Sequence, residues 1–377
     1  MLKFRAGTKI VAIAGDPGGA AALAPVLSAL LAGGVTLAVY GYRQAIDLLV
    51  PSHPQIKALP EQLPSDVQAH ARRCLADSDA LIAATSVNGT DWEKHFVLAA
   101  KEIGVPSVSV LDFWSNYGAR FLLGGTLVAP DVITAMDEAS RLGLIADGLP
   151  ASRIRITGQP ALEQLGYTKR AQPTDLARAR RALGVHAGDR LILFASQAFA
   201  ELDKLPNIAE RGYDEHSVLD LLIPALELVS REIGQRIVLL IRPHPREADG
   251  AHAGRLSNTE IAVQVSRAGN SHLLVQAADL VTGMNSMLLV EACYLGCHVL
   301  SIQPGAVETD SLPTNATGLS RAVYDPVLLP ETLREMLAPT VKGTEGAAAT
   351  QPPICGDGTA ATLGIVWELL YGTASTR

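Results

Sequence analysis

Short apolar runs alternate with longer Ala- and Leu-rich stretches of helical spacing along most of this chain. In the first half, strands are expected at 10–14, 36–40, 80–84, 107–111 and 131–135. Helices are expected at 20–31, from about 44, and at 91–103, the last stopped by Gly104 with Pro106 close behind. Residues 15–19, Gly-Asp-Pro-Gly-Gly, read as a loop. Residues 153–158 form a last strand of this half, broken by Gln159-Pro160. A polar segment at 167–174 reads as a linker, and a helix at 175–183 follows.

The alternation then restarts. Strands are expected at 191–195, 237–241, 261–265 (the weakest), 280–282 and 298–301, with helices at 217–233, 271–278 and 286–295. A long loop covers 196–215 and includes Asp203, Lys204, Arg211 and His216. Residues 342–353 are rich in Gly, Ala, Thr and Pro and are expected to be mobile. A final helix at 360–370 starts at a turn that Asp357 to Thr359 can cap. Repeated βα units imply an α/β protein with parallel sheets and two Rossmann-like domains in tandem. The expected boundaries are 1–166 and 175–355, with the helix at 359–372 packing back on the first domain.

Composition supports two domains: 377 residues, 48% of them apolar, exceed one ordinary core. A net charge of −7 with 5% aromatics makes nucleic acid a poor partner. Any anion site must therefore be local. Cys74, Cys293, Cys297 and Cys355 form no Cys-x-x-Cys pair, which favours buried, reduced thiols, no metal site and a cytoplasmic setting. The stretch after Lys3, Arg5 and Lys9 is cut short by Gly15 to Gly19, so a strand and turn explain it better than an export signal. No apolar run has the length of a membrane span.

The most informative segment is Leu239-Leu240-Ile241-Arg242-Pro243-His244-Pro245. A buried strand ends in two prolines, which stop the ladder and hold Arg242 and His244 at its carboxyl end. Ligands bind at that end of open α/β sheets, and Arg with His suits a phosphate or diphosphate. A rigid turn whose His caps a carbonyl is the competing reading. About forty residues on, Thr282-Gly283-Met284-Asn285-Ser286 leads from a strand into a helix whose free N–H groups suit an anion, with Asn285 or Ser286 as cap. Glu291, in that helix, could accept from ribose hydroxyls; an ordinary capped helix with an exposed glutamate is the alternative. Ser196 and Gln197 follow another strand, where a hydroxyl could reach the diphosphate.

In the first half, 112–120 packs Asp112, Trp114, Asn116, Tyr117 and Arg120 behind a strand. Trp and Tyr offer faces for sugar rings, and Asp112 is the candidate general base. A buried hinge with an Asp112–Arg120 structural pair competes. Backbone N–H groups of Gly18 and Gly19 could face a substrate, or form a plain tight turn. The 15–19 loop is not Gly-x-Gly-x-x-Gly, and Tyr40-Gly41 ends the next strand without an acid, so no dinucleotide cofactor is expected.

Taken together, these motifs resemble the GT-B glycosyltransferase superfamily, most nearly the non-hydrolysing UDP-N-acetylglucosamine 2-epimerases and their glycosyltransferase relatives. Ile156-Thr157-Gly158-Gln159-Pro160 is similar to their Val-x-Gly-Asn-Pro, His244-Pro245 to their His-Pro loop, and Gly356-Asp357-Gly358 to their Gly-Asp-Gly. The resemblance implies a GT-B fold with an interdomain cleft and a C-terminal helix crossing back. It places the nucleotide on the second domain. Arg242 and His244 would face diphosphate or sugar, Ser286 phosphate, Glu291 ribose, and backbone near Ser271 to Leu274 the base.

The chain departs from the epimerases in three places. It has Val290-Glu291 for two adjacent acids, Asn-Ser-Met-Leu for Asp-Ser-Gly-Gly, and 111–120 for Glu-Ala-Gly-Leu-Arg. These departures favour sugar transfer from a UDP-, CDP- or CMP-sugar to a hydroxyl, without metal or cofactor, with Asp112, His244 and Arg242 in the chemistry. An epimerase-like or sugar-nucleotide-hydrolysing enzyme is the alternative, and a non-catalytic nucleotide-sugar-binding protein a second one. Peripheral membrane association is compatible with the resemblance, although no amphipathic basic helix is evident.

Overall fold

The computed structural model describes residues 2–87, 89–166, 171–202, 211–255, 257, 259–307, 309–338 and 357–372. They divide into two compact units, one from Met1–Gln164 with Ile354–Arg377, the other from Leu165–Pro353.

The first unit is built on strands β1 (Lys9–Ala14), β2 (Thr36–Gly41), β3 (Lys57–Ala58), β4 (Ala80–Ala84) and β5 (Ser107–Val110). A small antiparallel hairpin, β6 (Leu122–Leu123) and β7 (Thr126–Leu127), precedes β8 (Val132–Ala135) and β9 (Ile154–Ile156). The main sheet runs β3-β2-β1-β4-β5-β8-β9, all parallel. Strands β4, β5 and β8 are buried along their whole length, as strands covered on both faces must be. The strand order reverses between β1 and β4. That is the switch point, where loops diverge to opposite faces and leave room for a ligand.

One expectation is corrected here. Residues 15–19 are not all loop: the first helix, Pro17–Ala32, begins inside them, so Gly18 and Gly19 form its first turn. Proline at the first helical position explains the early start, because its φ is already helical and it has no N–H to satisfy.

The last helix, Gly358–Tyr371, lies against Pro17–Ala32, with Leu363 and Val366 in the shared core. Asp357 caps it by accepting from Ala360 N (2.8 Å). Its start meets the Gly158-Gln159-Pro160 segment. A Cβ on Gly358 would lie 3.0 to 3.2 Å from the backbone of those three residues. Two motifs some 200 residues apart in the chain thus form one contact, closed further by Thr359 N donating to Glu163 (3.0 Å).

The second unit holds β10 (Arg190–Ala195), β11 (Ile237–Arg242), β12 (Ala262–Val265), β13 (Leu280–Gly283), β14 (Val299–Ile302) and β15 (Arg321–Val323). Their order is β12-β11-β10-β13-β14-β15, again all parallel, with the switch between β10 and β13. Helices Glu215–Ile233 and Leu329–Leu337 pack on one another over a core that includes Phe194, Leu226, Leu239 and Leu333. Strand β15 and helix Leu329–Leu337 were not anticipated from the sequence; a three-residue edge strand with an exposed Arg321 carries no apolar run.

The expected long loop at 196–215 contains a one-turn helix, Phe199–Leu202. Asp203 and Lys204 lie outside the described residues. Arg211 is buried, with its guanidinium 4.4 Å over the Phe199 ring. Cys355, the linker residues 167–170 and the segment 342–353 also lie outside the described residues. The expectation of buried thiols is corrected: Cys74, Cys293 and Cys297 are each half-buried. Cys293 and Cys297 point at backbone carbonyls, and burial pushes the Cys293 thiol up to about 12.

At the second switch point the backbones come very close. A Cβ on Gly283 would stand 2.7 Å from the Ala195 carbonyl oxygen. Both atoms belong to central strands, so neither side yields. Gly283→Ala is expected to cost about 1–3 kcal/mol. A melting temperature equal to that of the unaltered chain would contradict this account of the strand spacing.

Candidate functional site

In the second unit, three strand ends share one edge. Register aligns Ala195 with Arg242 on one side and with Gly283 on the other. Ser196-Gln197, Arg242 to His244, and Asn285-Ser286 therefore follow neighbouring strands. Gln197 and Asn285 are joined twice: Gln197 Nε2 donates to Asn285 Oδ1 and Asn285 N to Gln197 Oε1, both at 3.0 Å. Asn285 Nδ2 also donates to Ser311 (2.9 Å). Ser286 caps helix Met287–Tyr294, its Oγ accepting from Leu288 N at 3.0 Å. That helix end points its remaining N–H groups toward the same edge.

Two side chains sit differently from the sequence expectation. Both terminal nitrogens of Arg242 donate to carbonyls, of Ala268 (3.0 Å) and Gly269 (3.1 Å). Arg242 thus braces the loop in front of helix Ser271–Ala277 instead of presenting its fork to an anion, because those carbonyls are the nearest acceptors. Ser196 is buried and donates its only hydroxyl proton to Glu247 Oε1 (2.9 Å), so it has none for a phosphate oxygen.

His244 keeps its expected place in the loop after β11. Its Nδ1 accepts from Arg246 N (3.1 Å), which leaves the proton of the neutral ring on Nε2. Glu291 faces His272, Oε2 to Nε2 at 3.0 Å. That carboxylate raises the His272 pKa against the opposing effect of burial.

In the first unit, the strand ends around the switch carry acids. Asp16 follows β1, Asp112 follows β5, and Glu93 sits in the first turn of helix Trp92–Ile103, behind β4. All three are buried. Asp112 Oδ1 accepts from Thr85 Oγ1 (2.6 Å) and pairs with Arg120 Nη1. Arg120 also donates to Ser115 O (2.9 Å) and Thr85 Oγ1 (3.2 Å). Asp112 Oδ2 lies against Gly18, where a Cβ would be only 2.6 Å away. Gly19 is wedged against Ala84 and the Thr85 carbonyl. The Asp112 carbonyl takes a hydrogen bond from Gln159 Nε2 (2.9 Å).

Trp114 departs from its expectation as an open sugar platform. Only 4% of it is exposed, and its indole N–H donates to Asp137 Oδ2 (2.7 Å). Asn116 occupies the left-handed region with φ 55°, where a short polar side chain is tolerated, and bonds Ser115 Oγ (3.3 Å).

Glu93 was not visible as a candidate in the sequence. Its Oε2 accepts from Tyr42 OH and from Ser86 Oγ (3.0 Å), and Oε1 has no partner among the described residues. Burial pushes its carboxyl up to about 7; the Tyr42 hydrogen bond opposes this and the nearby Asp16 charge adds to it. Burial and the charges of Glu93 and Asp16 hold the Tyr42 phenol well above its usual value. The missed signal was positional: Asp91-Trp92-Glu93 opens a helix behind a buried strand, but looks locally like an ordinary helix start. Glu247 and His272 were missed because Ser196 and Glu291 lie 51 and 19 positions away from them. His252 is only five residues from Glu247, but nothing in the local sequence marks that pair as buried.

No protein-family model matches the chain, and no curated protein does. Solved structures do. UDP-GlcNAc 2-epimerase from Neisseria meningitidis bound to UDP-GlcNAc is 16% identical, with a TM-score of 0.66 over 96% of this chain and 100% of that one. MnaA of S. aureus with UDP is 15% identical, with a TM-score of 0.70 over 98% and 99%. Anabaena Alr3699/HepE in complex with UDP and glucose is 18% identical, with a TM-score of 0.60 over 94% and 95%.

The transferase expectation is corrected by this comparison. Several solved structures similar to the chain along nearly its whole length are UDP-GlcNAc 2-epimerases, which are isomerases, not glycosyltransferases. Among the described residues, no helix is long and apolar enough to cross a membrane. At these identities the likeness shows the fold, and that fold is two Rossmann-like units of the GT-B type.

Proposed function

We propose that the chain binds a UDP-sugar through its second unit and acts on the sugar as an enzyme of the 2-epimerase or sugar-nucleotide-hydrolysing type. The observation that carries this reading is the set of buried acids in the first unit, Asp16 and Asp112 just past the ends of β1 and β5 and Glu93 in the first turn of the helix after β4. Inversion at C2 requires a C–H bond to be broken and remade on the other face. Hydrolysis requires a water to lose a proton as it attacks. Both need groups that take up and return a proton near neutral pH. A carboxyl with a pKa of about 7, as at Glu93, is populated in both forms there. The nucleotide side rests on His244 and on the helix end at Ser286, with Glu291 available to ribose once it leaves His272.

The test is product analysis. Incubated with UDP-N-acetylglucosamine and no acceptor, the protein is expected to yield either the C2 epimer or free UDP with released sugar. Return of the substrate unchanged, under conditions where calorimetry shows UDP bound, would reject the enzymatic reading.

A further inference from the structure

Glu247, to which the proposed chemistry gives no role, stands at the centre of a buried network behind the His244 loop. Its Oε1 accepts from Ser196 Oγ (2.9 Å) and faces His252 Nε2 (2.6 Å). Its Oε2 accepts the His244 backbone N–H. Its own backbone N–H donates to His244 O (3.0 Å). One residue therefore grips the His244 peptide from both sides and ties it to the end of β10. Arg267 closes the outside of the turn, bonding the Glu247 carbonyl and reaching His244 O (3.4 Å). The Glu247 side chain is 3% exposed and that of His252 fully buried. Burial works against the Glu247 carboxylate. The hydrogen bonds from His252, the His244 amide and Ser196 outweigh it and hold its pKa below the usual range.

A buried carboxylate that accepts from three donors is a rigid fixture, and removing one acceptor leaves a buried donor unpaired. The prolines at 243 and 245 stiffen the chain around His244 but do not fix its direction. The contacts to Glu247 do.

We propose that Glu247, backed by His252, is the positioning residue that aims the His244 loop at the diphosphate of a bound nucleotide. This rests on the reading of the second unit as the nucleotide-binding one. The ligand chemistry is a nucleoside diphosphate, and the contribution belongs to the phosphates, not to the nucleoside.

The experiment compares UDP with uridine, each titrated into the full chain by calorimetry or ligand-observed NMR. Glu247→Gln retains the shape but has one acceptor oxygen instead of two, so either the His244 amide or the Ser196–His252 pair meets an N–H group. UDP is expected to bind about tenfold or more weakly while uridine changes by less than about twofold. Glu247→Asp, with both oxygens retained on a shorter stem, should recover part of the UDP affinity. His252→Gln should weaken UDP in the same phosphate-selective sense, and decides the matter if Glu247→Gln does not fold. Equal weakening of UDP and uridine would assign Glu247 to general stability and overturn the proposal, as would unchanged UDP affinity in both variants. If the unaltered chain binds no UDP, the nucleotide reading itself fails and this inference falls with it.

Discussion

Asp112→Asn is expected to lower the unfolding free energy of the first unit by about 3–5 kcal/mol. The Asp112–Arg120 pair is taken out of water, with only 9% and 5% of the two side chains exposed. Desolvating both ions is costly, and their attraction offsets that cost only while both charges are present. Asparagine leaves the guanidinium buried, with only the neutral oxygens of Ser115 and Thr85 as remaining acceptors. A double variant, Asp112→Leu with Arg120→Met, removes both charges and should be less destabilised than the single change. Urea unfolding followed by tryptophan fluorescence reads the first unit, because Trp114 is two residues from Asp112 and Trp92 lies in the adjoining core. A single variant within 1 kcal/mol of the unaltered chain would mean that the pair is solvated in solution.

Glu93→Gln carries the second large effect, and its sign depends on pH. The folded carboxyl titrates at about 7 against an ordinary 4.5. Between those values the folded chain holds a proton that the unfolded chain has released. The stability this proton represents is complete below about 4.5, declines as pH rises toward 7, and is gone above it. The whole change is on the order of 3 kcal/mol. Glutamine imitates the protonated form at every pH. The variant should therefore match the unaltered chain near pH 4.5 and exceed it in stability above pH 7 by on the order of 3 kcal/mol. Other carboxyls titrate in the same window, but they cancel in the difference between the two proteins. A difference that stays flat across pH would place the Glu93 titration elsewhere. Under the proposed function, the same substitution should also lower turnover by about a hundredfold or more, since the group can no longer exchange a proton. Greater stability with lost turnover is the signature of a group kept for chemistry at the expense of the fold.

Much of the architecture was legible because it is local. The runs at 10–14, 80–84, 191–195 and 237–241 are apolar enough to be buried on both faces, and each is a central strand. Ser286 and Asp357 cap helices where they were expected to, since a cap is decided by residues within one turn. Among the parts that escaped, the two-residue β3, the β6–β7 hairpin and the edge strand β15 have no run and owe their pairing to neighbours already in place. Helix Leu329–Leu337 escaped although its apolar positions have helical spacing.

The site divides along the same line. Asp112, His244, Asn285 and Ser286 were legible as chemistry-bearing residues just past a strand, and they stand at the carboxyl edges of their sheets. The Asp112–Arg120 pair was legible as the structural alternative, and it forms; the other partners were not legible. Glu93 meets Tyr42 across 51 positions, Ser196 meets Glu247 across 51, and Asp112 meets Thr85 across 27. The open role given to Trp114 and the free fork given to Arg242 failed for a related reason. A sequence shows that a side chain can bind a sugar or an anion, but not that Asp137 or the carbonyls at 268 and 269 reach it first.

By itself, then, the order of residues determined two parallel α/β units and the strand ends at which chemistry can occur, because periodicity and breakers act over a few residues. Only the tertiary structure decided which acids are buried side by side, which carboxyl holds a proton near neutral pH, and which hydroxyl is already committed. Those properties depend on desolvation and on distances between groups far apart in the chain, and neither exists until the sheets have formed.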